Sequence, residues 1–222
     1  MTDNINYEHI VDYLNQTLPK SDGLLGELED YAQQHLTPII QKEVRCLLDC
    51  ILTYKKPETI LEVGTAIGYS AIFFAKHVGN NGKVITLEKD PDYIERAKSN
   101  IAKSDVADKI TLIEGDAVET IMNIEGEFDV VFLDANKSKY RHYFDVIFPK
   151  IKNGGLLICD NILYKGMVSN DELLPRKHYT IVRALRDFLP FLSNHPMLST
   201  SIIPIGDGVT ISVKKSNMEE QI

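Results

Sequence analysis

The sequence lacks any apolar run near the roughly 18 residues that a membrane-spanning helix needs. Residues 1–20 also lack the basic start and apolar block of a secretion signal, because Asp3, Glu8 and Asp12 interrupt them. Internal repeats, low-complexity tracts and linkers are missing too. We therefore expect a cytoplasmic protein without a membrane partner, folded as a single domain over residues 1–222.

Cysteine is scarce as well. Three cysteines, an odd number, make a disulfide framework a poor fit and suit a reducing compartment. The i,i+4 spacing of Cys46 and Cys50 is compatible with a metal on a helix, but no other Cys or His lies nearby in the sequence to complete a site. We interpret both as buried core thiols, and Cys159, in an apolar run, in the same way.

An excess of positive charge is also missing. The chain has 24 basic and 32 acidic residues, a formal net charge of −8, within an ordinary globular composition of 44% hydrophobic and 25% charged residues. This balance excludes a protein coated in basic charge for indiscriminate nucleic-acid binding. The charge is unevenly distributed along the chain. Residues 137–186 hold ten basic and four acidic residues, and the rest of the chain is strongly acidic.

The spacing of apolar residues changes after Pro57. Residues 1–55 show helical spacing of apolar residues, and residues 56–215 alternate between short apolar runs and helix-length stretches. Strands are predicted at Ile60–Val63, Val84–Leu87, Ile110–Ile113, Val130–Leu133, Leu156–Cys159, Ser199–Ile203 and Val209–Val213, and helices at Tyr69–Val78, Asp92–Lys103 and Tyr140–Ile151. The pattern predicts an α/β fold with a mostly parallel seven-stranded sheet, a C-terminal antiparallel hairpin and an N-terminal helical cover.

A glycine turn follows the first predicted strand. Gly64 and Gly68 have G-x-x-x-G spacing, which differs from the G-x-G-x-x-G of dinucleotide sites. Glu62, just before the turn, suits a cationic ligand such as S-adenosylmethionine (SAM) better than a pyrophosphate. Glu88 ends the second strand, where an acid binds ribose hydroxyls in related sheets, and Asp116 with Ala117 follows the third. The alternative is that these acids are solvated charges at strand ends.

Oxygen ligands follow the fourth and fifth strands. Asp134 comes after one, and Asp160 and Asn161 come after the other. Two carboxylates and an amide suit Mg²⁺, and the lack of His or Cys beside them argues against zinc. Lys137 is close enough in sequence to act as a general base or to stabilise an anion. The alternative is an ordinary helix-capping role for the carboxylates.

Four motifs in order resemble the metal-dependent class I O-methyltransferases of the catechol and caffeoyl-coenzyme A group. They are EVGTAIGYS at 62–70, LDANKSKY at 133–140, GGLLICDN at 154–161 and PIGDGVTI at 204–211. The resemblance covers residues 25–215 and implies a Rossmann-like class I methyltransferase fold. Shorter features, DNILYKG at 160–166 and NHP at 194–196, resemble the bacterial tRNA 5-hydroxyuridine methyltransferases within that group.

The resemblance implies a set of cofactor contacts. Glu62 and Ser70 would meet the methionine end of SAM, Glu88 the ribose, and Asp134 the sulfonium. The complete cofactor set is Ile40, Glu62, Gly64, Ser70, Glu88, Asp116, Ala117 and Asp134, with Asp116 and Ala117 framing the adenine and Ile40 in the loop before the third helix.

It also implies Asp134, Asp160 and Asn161 as ligands of Mg²⁺ or another divalent cation, and Lys137 and Asp134 as catalytic residues. The expected reaction is methylation of the 5-hydroxyl of 5-hydroxyuridine at the tRNA wobble position, giving 5-methoxyuridine. The basic segment 137–186 would meet the anticodon loop. A small-molecule catechol or caffeoyl-coenzyme A substrate is the alternative, although the substrate-selecting insertions of plant members are missing, and a non-catalytic adenosyl-binding module is a third. The family further suggests a homodimer.

Overall fold

The computed structural model describes residues 5–216, so the first residues of the predicted cover and the last six residues of the chain lie outside it. It contains one seven-stranded sheet. The strands are β1 (Thr59–Val63), β2 (Lys83–Glu88), β3 (Ile110–Glu114), β4 (Phe128–Leu133), β5 (Ile151–Cys159), β6 (Leu198–Ile203) and β7 (Val209–Lys214). The helices are α1 (Glu8–Thr17), α2 (Gly23–His35), α3 (Lys42–Lys55), α4 (Tyr69–Ala75), α5 (Pro91–Ala102), α6 (Ala117–Asn123), α7 (Tyr140–Ile147) and α8 (Tyr179–Ser193).

The strand order confirms the predicted fold class. It is β3-β2-β1-β4-β5-β7-β6, with β1 to β5 parallel and β7 antiparallel to both β5 and β6. The chain winds outward from β1 in one direction and from β4 in the other, so the strand order reverses between these two strands. Ligands of open parallel sheets bind at the carboxyl ends of the strands beside such a reversal.

Helices cover both faces of the sheet. Helices α2 to α5 share one apolar core with the sheet, and α6 to α8 share a second core on the other face. Val44, Leu48 and Leu52 of α3 are almost fully buried at helical spacing, which attaches the predicted cover to the sheet. Each such side chain contributes roughly 1.5–3 kcal/mol through burial. Helix α1 buries none of its residues.

Two predicted boundaries near β5 were wrong. The helix predicted at Tyr140–Ile151 ends at Ile147, and β5 starts at Ile151 rather than Leu156. Lys152 and the two glycines at 154 and 155 interrupt the apolar pattern in the first half of this strand. The register between β4 and β5 also shifts there. The first half of β5 therefore shows neither the alternation of a regular strand nor the spacing of a helix in the sequence.

The prediction for the cysteine pair was wrong as well. Cys50 is exposed and Cys46 is half-buried, whereas Cys159 is buried as expected. The buried stripe of α3 passes through Leu48, and Cys50 lies two residues further on, about 200° around the helix. It therefore lies on the solvent side of the helix.

Across residues 5–216, none of the helices has both the length and the apolar character required to pass through a lipid bilayer.

Candidate active site

A cleft of about 310 Å³ opens at the carboxyl ends of β1, β2 and β4. Most of the site residues predicted from the sequence line it. These are Ile40, Gly64, Ser70, Glu88, Ala117, Asp134, Lys137 and Asn161. Glu62, Asp116 and Asp160 are not part of the lining.

The glycine turn brings β1 close to the end of β4. Gly64 has φ = +106°, and a Cβ atom at this position would overlap the carbonyl oxygen of Asp134. The Gly64 amide donates to the carbonyl oxygen of Leu87 at 3.0 Å, and the Asp134 amide donates to that of Val63 at 3.0 Å. The absence of a side chain at Gly64 therefore allows the backbone of Asp134 to lie against the turn.

We expect Gly64→Ala to destabilise the protein by about 3 kcal/mol, because the change combines an unfavourable φ with overlap against backbone. Gly126→Ala is the matched control, since Gly126 has φ = +91° and open space around it. It should cost only about 1–2 kcal/mol. Urea unfolding of both variants measures the difference, and equal losses would show that contact with Asp134 is unimportant.

Glu62 is fully buried beneath the cleft. Its Oε2 accepts a hydrogen bond from the Thr86 hydroxyl at 2.5 Å, and its Oε1 has no hydrogen-bond partner among the described residues. Burial raises the pKa of Glu62 to about 7; the nearby Ser70 and Thr86 hydroxyls act against this rise, and the negative charges of Asp134 and Glu88 add to it. A buried carboxylate oxygen without a donor is costly unless a ligand supplies one, and an ammonium group fits that requirement.

Glu88 is held by backbone amides. Its Oε2 accepts from the Ala66 amide at 2.9 Å, and its Oε1 accepts from the Lys89 and Asp90 amides at 2.8 and 3.0 Å. The carboxylate thus joins the glycine turn to the end of β2. This fixed position at the cleft is what a contact to ribose hydroxyls requires, and the ribose role itself stays a prediction.

Asp116 lies beside the cleft rather than in its lining. Its side chain accepts from the Val118 amide at 3.1 Å and caps α6, and its Oδ2 lies 3.0 Å from Lys139 Nζ. The hydrogen bond from Lys139 and that from the Val118 amide lower the pKa of Asp116. The cleft is instead lined on either side of this residue by Gly115 and Ala117.

The predicted metal ligands converge around one lysine. Lys137 Nζ lies 2.6 Å from Asp134 Oδ1 and 3.0 Å from Asn161 Oδ1, so oxygens from the ends of β4 and β5 share a positive charge. Asp160 is buried beside them, and its Oδ1 accepts from the Asn161 amide at 2.7 Å. Burial and the charge of Asp134 raise the pKa of Asp160 to about 8.

This donor set fits a hard divalent cation. Within residues 5–216 no three His, Cys, Asp or Glu side chains form a metal-binding group, so an all-carboxylate or thiolate site is not present there. Asp134, Asp160 and Asn161 offer two carboxylates and one amide oxygen, which suits Mg²⁺ with other ligand positions left for water or substrate.

Tyr140 holds the two strand ends together, and sequence reasoning missed this role. The buried Tyr140 hydroxyl lies 3.1 Å from the Leu133 carbonyl oxygen and 3.2 Å from that of Asp160. Leu133 is the last residue of β4, and Asp160 is the first residue after β5. Tyr140 therefore adds a side-chain contact to the backbone hydrogen bond that the Asp160 amide donates to the Leu133 carbonyl oxygen at 2.9 Å. Its place in the LDANKSKY motif was the only signal available.

Many basic side chains of segment 137–186 are neutralised within the chain. Ion pairs join Lys139 to Asp116, Arg141 to Asp145, Lys152 to Asp129 and Arg186 to Asp171. Lys150 donates to the Ile124 carbonyl oxygen. Arg176, Lys177 and Arg183 of the same segment are exposed. The charge asymmetry of the sequence therefore overstates the positive charge that this segment presents to a partner.

A Rossmann-like sheet with an additional antiparallel strand and a cleft built on an acid-glycine turn defines the chain as a SAM-dependent methyltransferase. Residues 19–215 match the family model described as "O-methyltransferase". The chain belongs to this family and is a SAM-dependent O-methyltransferase.

Known proteins from plants and a fungus are similar over most of the chain. Caffeoyl-CoA O-methyltransferase 1 of Eucalyptus globulus is 28% identical over 216 residues, covering 92% of this chain and 86% of that protein. Caffeoyl-CoA O-methyltransferase of Populus kitakamiensis is 32% identical over 171 residues, with 74% and 73% covered. The S-adenosylhomocysteine (SAH)-bound structure of a Podospora anserina methyltransferase has a TM-score of 0.84 and 26% identity, covering 94% of this chain and 95% of that one.

Proposed function

We propose that the protein transfers the methyl group of SAM to a hydroxyl of a small molecule that carries a second oxygen on the adjacent carbon, as in a catechol. The observation that carries this proposal is the convergence of Asp134 and Asn161 on one positive charge at the cleft. The names of the plant relatives, which refer to caffeoyl-CoA, support a small-molecule substrate. Because of these relatives we rank it above the tRNA substrate that the sequence had favoured.

Each part of the cofactor would contact the residues that the sequence predicts for it. The orphaned Oε1 of Glu62 supports an ionic contact to the ammonium of SAM, and Ser70 lines the same end. Glu88 would accept from the ribose hydroxyls. Ile40 and Ala117 line the cleft with apolar side chains. Ala117 would lie beside the adenine, and Gly64 would allow close approach of the cofactor to the backbone.

Asp134, Asp160 and Asn161 would hold a divalent cation at the mouth of this cleft. When bound, such a cation lowers the pKa of the substrate hydroxyl and keeps two neighbouring oxygens in place. The Lys137 ammonium already lies among these oxygens, so it is suited to stabilise the anion that forms when the hydroxyl loses its proton. Lys137 would take that proton itself only as the neutral amine, after giving up one of its own protons. Asp134, which also lines the cleft, would lie next to the sulfonium.

The tRNA substrate is the second candidate. Arg176, Lys177 and Arg183 are exposed, and Tyr179, which lies between Lys177 and Arg183 in the sequence, is 58% exposed. Exposed cations beside an exposed aromatic ring are the features that bind phosphates and splayed-out bases. The product in that case would be 5-methoxyuridine.

A methyl-transfer assay separates the two candidates. Caffeic acid, catechol and tRNA from a strain that leaves wobble 5-hydroxyuridine unmethylated are each incubated with SAM, with Mg²⁺ or with EDTA. We expect methylation of the catechols in Mg²⁺ and none in EDTA. Methylation of tRNA alone would replace the first candidate by the second, and full activity in EDTA would refute the metal site. Combined replacement of Arg176, Lys177 and Arg183 by alanine should affect only tRNA methylation.

We also propose a homodimer. Tyr7, which immediately precedes helix α1, and Ile10 and Tyr13 within the helix are 77%, 44% and 65% exposed. A large exposed apolar surface on an otherwise polar helix is typical of a protein interface. Light scattering of the purified protein tests this, since a monomeric mass near 25.1 kDa would contradict it.

A further inference from the structure

Glu29 of α2 lies where three separate segments of the chain meet. The Tyr69 hydroxyl at the start of α4 donates to its Oε1 at 2.6 Å. The Ser21 hydroxyl donates to the same oxygen at 2.6 Å, and the Ser21 amide donates to Oε2 at 3.4 Å. Arg45 Nε of α3 lies 3.6 Å from Oε1, which is an ion pair without a hydrogen bond. One carboxylate therefore joins the segment before α2, helix α3 and helix α4.

The surroundings strengthen these contacts. The side chain of Glu29 is 23% exposed and that of Arg45 10%, and Tyr69 is 2% exposed, so little water competes for the bonds. Hydrogen bonds to a charged acceptor in such surroundings are stronger than neutral ones. Gly26 lets Ser21 lie close to α2. A Cβ atom at position 26 would overlap the Ser21 carbonyl oxygen and displace Ser21 from Glu29.

Two of the three partners of Glu29, Tyr69 and Arg45, belong to helices that lead to the cofactor cleft. Tyr69 lines the cleft itself and directly precedes Ser70. Helices α2 and α3 carry the loop between them, from which Pro38, Ile39 and Ile40 line the cleft as well. We call this stretch, 38–40, the roof loop. The Glu29 contacts thus fix the two helices that hold the roof loop relative to the helix that follows the glycine turn.

We propose that Glu29 is a positioning residue for cofactor binding: through Tyr69 and Arg45 it holds the roof loop and the start of α4 in the arrangement that accepts SAM. This inference rests on the proposed occupation of the cleft by SAM. Without the Tyr69–Glu29 bond, a smaller fraction of the free protein would have the binding arrangement. The apparent dissociation constant rises in inverse proportion to that fraction. Once cofactor is bound the arrangement is restored, so the chemical step is nearly unchanged.

Tyr69→Phe tests the proposal, since it removes the hydroxyl and keeps the ring. Calorimetric titration of the full-length protein with SAH should give a dissociation constant about tenfold higher than that of the wild type. The KM for SAM should rise to a similar extent, while kcat with caffeic acid stays within about twofold. Glu29→Ala removes the Tyr69 bond together with the Ser21 and Arg45 contacts, so the dissociation constant should rise at least as much. Adding Tyr69→Phe to Glu29→Ala should change little, because the Tyr69 hydroxyl then has no Glu29 acceptor to lose. Glu29→Gln, which retains an acceptor oxygen, should recover part of the affinity.

Lys42→Met is the matched control. Lys42 Nζ donates to the Asn15 carbonyl oxygen at 2.7 Å, so its loss removes a bond within the cover that does not reach α4. The SAH affinity of this variant should equal that of the wild type.

Two outcomes would overturn the positioning role. One is a lower melting temperature of Tyr69→Phe with unchanged SAH affinity, which would indicate stabilisation alone. The other is an equal loss of affinity in Lys42→Met. Glu62→Gln separates this proposal from the proposed function: if it weakens SAH binding and Tyr69→Phe does not, only the role of Glu29 fails. A wild-type protein that does not bind SAH would overturn both.

Discussion

Asp160→Ala is expected to lower kcat/KM in Mg²⁺ by about a thousandfold, because the cation site would lose a buried carboxylate and with it several kcal/mol of charge stabilisation. SAH binding should stay within about threefold of the wild type, since the proposed partner of Asp160 is the cation and not the cofactor. Steady-state kinetics and SAH titration of the same preparations measure the two effects. Residual activity of the variant should be equal in Mg²⁺ and in EDTA.

Two further variants make this result interpretable. Asp160→Asn keeps the volume of the buried side chain and removes the charge, so a loss of activity in a protein of normal stability reflects the cation site. Asp187→Asn changes an exposed carboxylate of α8 and should be as active as the wild type. Asp160→Ala with wild-type activity, or with activity that still depends on Mg²⁺ to the same extent, would show that the cation binds elsewhere.

Glu62→Gln is expected to weaken SAH binding by about a hundredfold, because a buried carboxylate and an ammonium would lose their ionic hydrogen bond. The same change should stabilise the free protein at pH 8. Burial raises the pKa of Glu62 from 4.5 to about 7, so ionisation of this group at pH 8 costs the folded protein energy on the order of 3 kcal/mol. Opposite effects on binding and stability distinguish a ligand-binding group from a structural one.

Ionisation of Glu62 makes both the folding stability and the SAH affinity depend on pH. The folded pKa of Glu62 lies above the unfolded value, so its contribution favours folding at low pH and is lost as the pH rises from 4.5 through about 7. Ammonium binding needs the ionised form. SAH affinity should therefore increase about tenfold between pH 6 and pH 8 and become nearly pH-independent in Glu62→Gln.

Glu58→Gln provides the control for these measurements. Glu58 is exposed and immediately precedes β1, so it lies at the amino end of this strand, away from the cleft at its carboxyl end. This variant should retain wild-type SAH affinity with the same rise between pH 6 and pH 8. A Glu62→Gln protein that binds SAH as tightly as the wild type would show that the ammonium is held by another group.

Some site residues were predictable because strand ends are visible in sequence. Glu88 and Asp134 follow apolar runs, and parallel strands bring their carboxyl ends to one edge of the sheet. Asp116 follows the same rule, yet its side chain caps α6 and pairs with Lys139. The sequence cannot choose between these environments, since both require an acid at the end of a strand.

The partners that support the site were not predictable. Glu29 lies 40 residues before Tyr69, and Tyr140 lies 20 residues before Asp160. Nothing in the periodicity of either segment indicates which polar group faces the other. The same holds for the basic segment, where ion pairs to Asp116 and Asp129 draw on acids from outside it. Net charge counts residues without regard to their neighbours.

By itself, the sequence determined the α/β class, the position of most strands and the cluster of acids at their ends, because these depend on local periodicity and on the geometry of parallel strands. Only the tertiary structure decided which oxygens share Lys137, how the cover is joined to α4, and that one buried oxygen of Glu62 has no hydrogen-bond partner within residues 5–216. These features depend on distances between residues far apart in the chain and on the exclusion of water, which the folded chain alone creates.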